Sequence, residues 1–174
     1  RGMEYANGTV YVANAGTGNA APGHGLVTFS PDGVRTGFWP VLTPTGGASG
    51  SPFAILDTGS GLFVAAGSGT ASQIRKYSYS GVDQGVFTQS IRFPQQMIWG
   101  QNGNLFAAGF SLDSGASISA SVYEFDSSGV AVSNTMATGL GPRSVYELGD
   151  GMVPAPRLQG ISPIRVAMLS RHRS

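Results

Sequence analysis

The chain has 174 residues, 41% of them apolar and only 11% charged, with no cysteine and a formal net charge of +1. The apolar share is enough to build a core and excludes an intrinsically disordered chain. The missing cysteines exclude disulfides and thiolate metal sites, and so balanced a charge leaves no electrostatic footprint for nucleic acid or an anionic membrane. No run reaches the ~18 apolar residues that a membrane-spanning helix needs.

Read from its start, the chain repeats one unit. The first copy opens with a strand from Gly2 to Tyr5 and turns at Asn7-Gly8, the strongest short hairpin signal. A second strand, Val10-Tyr11-Val12-Ala13, leads through a long connection (Asn14 to His24) to a third. The turn Ser30-Pro31-Asp32-Gly33-Val34 then precedes an outer strand holding Phe38-Trp39-Pro40. The second copy opens at Pro52 and predicts strands over 53–57, 61–66, 73–79 and 83–89, with Gly59 and Gly61 supplying the positive φ of its hairpin. Its second strand, Leu62 to Ala66, is almost wholly small and apolar, as suits a strand covered on both faces. The third copy opens at Pro94, turns at Asn102-Gly103, runs through Leu105-Phe106-Ala107-Ala108, and closes on Asp126-Ser127-Ser128-Gly129-Val130.

A fourth copy starts from Pro142. There Met152-Val153-Pro154-Ala155 stands where Leu-Phe-Val-Ala belongs, and Pro154 lacks the N–H that a central strand donates. The register holds across the chain. Gly33, Gly81 and Gly129 are spaced by 48 and 48 residues, and an apolar side chain (Ile55, Met97, Val145) sits three places after each opening proline, with Met3 in the matching place. The units span about 1–42, 50–90 and 92–138, all within a propeller region of 1–150. Residues 151–174, which carry four arginines and no acid, read as a degenerate fourth blade or a non-native basic tail.

Four-stranded units repeating at 40–50 residues are the signature of a β-propeller. The pattern of Pro, an apolar residue three on, Leu-Phe-Val-Ala, an aromatic strand and Gly-Val resembles the NHL-type repeat and the six-bladed propellers that include gluconolactonase-like enzymes. Asn14 keeps the Asp or Asn that follows the second strand in such repeats; Ala66 and Gly109 replace it. The resemblance implies an all-β fold: a propeller arc of about three and a half consecutive four-stranded antiparallel blades, an incomplete ring. Open sheet edges and uncovered blade faces invite association, so the remaining blades or another copy of the chain are the expected partners.

No catalytic, cofactor or metal set emerges. Gly59-Ser60-Gly61 and Gly67-Ser68-Gly69 lack the strand-to-helix turn of a nucleophile elbow, and Gly16-Thr17-Gly18-Asn19 precedes no helix that would receive a phosphate. Asp32 and Asp150 read as turn formers. Asp57 is the carboxylate at the end of a first strand, where channel residues of a propeller lie. Trp99 reads as packing between blades. The candidate ligand or partner surface is Asn14, His24, Trp39 and Asp113, on or beside the loops and the outer strand. The expected function is a non-enzymatic binding or structural propeller domain that engages a protein or glycan through its loop face, outside the cell or on its surface. The alternative is a fragment of a metal-dependent propeller hydrolase or lactonase.

Overall fold

The computed structural model describes residues 1–14, 23–42, 51–67, 72–110, 121–133, 144–147 and 166–167. Among them every regular element is a strand. Three four-stranded sheets follow one another along the chain, each a simple antiparallel meander: β1(Met3–Ala6)–β4(Arg35–Pro40), β5(Pro52–Asp57)–β8(Asp83–Thr88) and β9(Pro94–Trp99)–β12(Ala131–Ser133). Within the first lie β2(Thr9–Asn14) and β3(Gly25–Phe29). The second holds β6(Leu62–Ala66) and β7(Gln73–Tyr77), and the third holds β10(Leu105–Gly109) and β11(Ser121–Phe125). None closes into a barrel. The fold is an all-β, propeller-like arc.

Local chemistry sets the meander. Asn7 and Gly8 both have positive φ (47° and 74°), the geometry of a two-residue hairpin whose twist matches its strands. Gly59 also has positive φ (78°). Gly61 serves differently from expectation: it is needed for close approach, since a Cβ there would stand 2.3 Å from the Tyr77 carbonyl oxygen. The Gly-Val turns after the third strands close alike in all three sheets. Gly33, Gly81 and Gly129 each donate their N–H to the carbonyl three residues back, at 2.9, 3.0 and 3.0 Å.

The core lies in the seams between sheets. Alternation sends successive residues of a strand to opposite faces, so a central second strand serves two seams at once. In β6, Leu62, Val64 and Ala66 pack on the first sheet with Tyr11, Ala13 and Leu26. Phe63 and Ala65 pack on the third with Met97, Leu105 and Phe125. All five residues of β6 and all five of β10 are buried, as a strand covered on both faces requires. In β2 only Tyr11 and Ala13 are buried, because the opposite face of the first sheet carries no neighbour among the described residues. Met3 differs from its three counterparts for that reason: it is 69% exposed, whereas Ile55, Met97 and Val145 are buried.

Past the third sheet, Val145 packs against Phe106, Ala108 and Val122. Next to it β13(Tyr146–Glu147) pairs antiparallel with β14(Val166–Ala167). Residues 166–167, some twenty places on, thus take the position beside the first strand of that unit. Pro154, Asp150 and most of the basic tail lie outside the described residues.

Candidate functional site

The first strands of the three sheets run side by side, and their starting ends frame a groove of about 640 Å³. Arg1, Glu4, Gln95, Gln96 and Ser144 supply its polar lining, and Phe53, Ile55 and Met97 are among the apolar part. The Arg1 guanidinium lies 4.0 Å from the centre of the Phe53 ring and donates to the Pro52 carbonyl at 3.0 Å. The Gln95 amide donates to the Phe93 carbonyl at 3.3 Å, and the Gln96 side-chain carbonyl accepts the Val145 N–H at 3.0 Å. These bonds hold the groove's amides and cation in place while leaving further N–H donors on the guanidinium and both donor and acceptor capacity on the carboxamides.

Antiparallel pairing puts the starts of first and third strands at the same end of each sheet as the ends of second and fourth strands. The groove mouth therefore shares one end of the arc with the connections from Asn14 to Gly25, Ala66 to Gln73 and Gly109 to Ser121. Asn14, His24 and Trp39 all stand at this end. Asn14 donates its side-chain amide to the Gly23 carbonyl at 2.7 Å, clasping the base of its loop. His24 is half-buried. Trp39 is half-buried between Tyr11 and Tyr77, with ring centres 6.4 and 5.0 Å away, so its ring belongs to the first seam. Asp113 lies outside the described residues.

Asp57 sits at the opposite end. It accepts the Tyr79 hydroxyl at 2.7 Å and the Gly59 N–H at 2.9 Å, and its carbonyl receives the Trp99 indole N–H at 2.9 Å. That last bond, with the Trp99 ring 5.6 Å from Phe63, places Trp99 across the second seam. Burial and the Asp57 carboxylate together push the Glu4 carboxyl above its ordinary range. Asp32 caps its turn through Ser30. Asp126 does the same through the N–H groups of Ser128 and Val130 at 2.9 and 3.0 Å. Among the described residues no three His, Asp or Glu side chains converge.

Two polar groupings escaped sequence reasoning. Arg75 forms a two-pronged pair with Asp83, at 2.9 and 2.7 Å, inside the first seam. Glu124 accepts the side-chain amides of Asn102 and Asn104 at 2.9 and 2.8 Å, tying a hairpin to its neighbouring strand. An arginine in a third strand, eight places before an Asp across a hairpin, was the available signal for the first. Gln95 and Gln96 give no signal without knowing which strand edge lines the axis.

No protein-family model matches the chain, and no curated protein sequence does. A solved structure of a protein of unknown function from Bacteroides caccae shares the fold, with a TM-score of 0.52 at 18% identity. The match covers 86% of this chain and 50% of that one, so the chain spans about half the length of its structural neighbour.

Proposed function

We propose that this chain is part of a non-enzymatic binding propeller, acting outside the cell or at its surface, that takes a protein or glycan at the loop end of the arc. The observation that carries the reading is the shared location of the axial groove and the second-to-third-strand connections. A rigid stack of sheets presents adaptable loops around a recess that holds one guanidinium, two carboxamides, a hydroxyl and a carboxyl. Such a set matches the mixed donors and acceptors of sugar hydroxyls or of a peptide backbone. The resemblance to NHL-type repeats supports the same architecture.

The test is binding to arrays of oligosaccharides and of short peptides, followed by affinity measurement on any hit. Arg1→Ala combined with Gln95→Ala should weaken a true ligand at least about tenfold, which is ~1.4 kcal/mol. Absence of any hit, or a hit indifferent to both substitutions, overturns the proposal. A second reading draws on the Glu4 carboxyl, pushed up by burial and by Asp57: a metal-dependent hydrolase or lactonase whose other ligands come from further blades. One tight Ca²⁺ or Zn²⁺ site in calorimetry, lost in Glu4→Gln, would favour it.

A further inference from the structure

Each sheet has a leading face, turned toward the preceding sheet, and a trailing face, turned toward the next. The strand registers align the leading faces residue by residue. In the second sheet that face holds Ile55, Leu62, Val64, Arg75 and Tyr77, all at most 6% exposed, with half-buried Asp57 at its end. In the third it holds Met97, Leu105, Ala107, Tyr123 and Phe125, again buried, with Trp99 at its end 38% exposed. The matching positions of the first sheet are Met3, Tyr5, Val10, Val12, Val27 and Phe29. None is charged, yet Met3 is 69% and Tyr5 61% exposed, and the other four are half-buried.

The two existing seams show what such a face accepts. The trailing face that covers the second sheet presents Tyr11, Ala13 and Leu26; the one that covers the third presents Phe63, Ala65 and Ile74. Both place an aromatic residue and an alanine two apart on the second strand, and a branched aliphatic on the third. The corresponding face of the third sheet, Phe106, Ala108 and Val122, is already buried with Val145 against it, so a second copy stacking head to tail finds that face occupied.

We infer that the leading face of the first sheet is a docking surface for one further four-stranded sheet of this same repeat, whose trailing face carries an aromatic-x-Ala second strand. The surface continues the seam pattern made twice within the chain, and contiguous apolar area left open on a folded sheet marks an interaction site. Gly2 reinforces the point: its N–H already bonds the Phe53 carbonyl at 2.7 Å, so β1 is held in blade position with its outer face bare.

The test joins a duplicate of residues 51–94 directly to Arg1 of the full chain. This puts a proline three places before Met3, the spacing that separates Pro94 from Met97. Peroxide oxidation of Met3, followed by mass spectrometry, should slow at least about tenfold in the fusion. The slowing should vanish when the fusion also carries Val12→Asp. Unchanged oxidation of Met3 overturns the inference. So does a duplicate whose amides exchange freely, because a sheet that fails to dock is a sheet that fails to fold here. Self-association of the unfused chain that Val12→Asp abolishes would assign the face to a second copy and overturn it as well.

Discussion

At the scale of single residues, the turn glycines separate two costs that usually arrive together. Gly33 and Gly129 occupy equivalent turns with φ of +87° and +85°. A Cβ on Gly33 meets nothing within 4 Å, whereas one on Gly129 would stand 2.1 Å from the Phe87 carbonyl oxygen. Gly33→Ala therefore carries only the left-handed backbone penalty, about 1–2 kcal/mol. Gly129→Ala adds displacement of a neighbouring strand and should cost at least about 3 kcal/mol in urea unfolding; equal costs would refute the distinction. The Arg75–Asp83 pair is the other residue-scale lever. Hydrogen bonds from Arg75 hold the Asp83 carboxyl below its ordinary value despite partial burial. A carboxyl depressed in the folded state contributes stability above its unfolded pKa of ~3.9 and loses it as pH falls through the folded value. Asp83→Asn should destabilise by about 2 kcal/mol at pH 7. The gap from the parent chain should narrow as pH drops below about 4, and a gap unchanged down to pH 2 would contradict the pairing.

At the scale of elements, what matters is how many neighbours a sheet has. Val12 and Val64 are the same position in successive second strands, both paired to the apolar residue three places after the unit's start. Val64 is fully buried in the first seam; Val12 is half-buried on the bare leading face. Val64→Ala should cost about 2 kcal/mol by lost transfer energy and a residual cavity. Val12→Ala should stay below about 1 kcal/mol. Chemical denaturation of the two variants measures both, and a Val12 cost as large as that of Val64 would mean the first sheet is covered after all.

At the scale of the whole molecule, stability is spread unevenly along the arc. The second sheet is packed on both faces by sheets of the chain, through Phe63 on Trp99 and Phe87 on Phe125 on one side and Tyr77 on Trp39 on the other. The first sheet is packed on one face only. Local opening draws on buried apolar contact, so amides of β6 should exchange at least about tenfold more slowly than those of β1. Exchange mass spectrometry of the intact chain decides this; uniform protection across both strands would count against a stacked arc. The same unevenness bears on function, because the groove lies where the first strands of the best-packed and least-packed sheets meet.

Much of this fold was legible in the residues. Periodicity, hairpin dipeptides and three Gly-Val turns at constant spacing are local features, and local chemistry decides strands, turns and the meander order. The strand limits for the second unit fall within two residues of those observed. The site was less legible. Asn14 and His24 flank the connection after β2 and Trp39 lies near the end of β4, so counting strand reversals puts all three at one end of their sheet. That the Trp39 ring would be spent on a seam required knowing that Tyr11 and Tyr77, far apart in sequence, stack on either side of it. The same holds for Gln95 and Gln96, which matter only because three first strands lie together around a groove. The amino-acid order by itself thus determined the repeating sheet, while the stacking of sheets alone decided which apolar faces are buried, which polar groups meet, and which face stays bare, because burial is set by neighbours that no single unit contains.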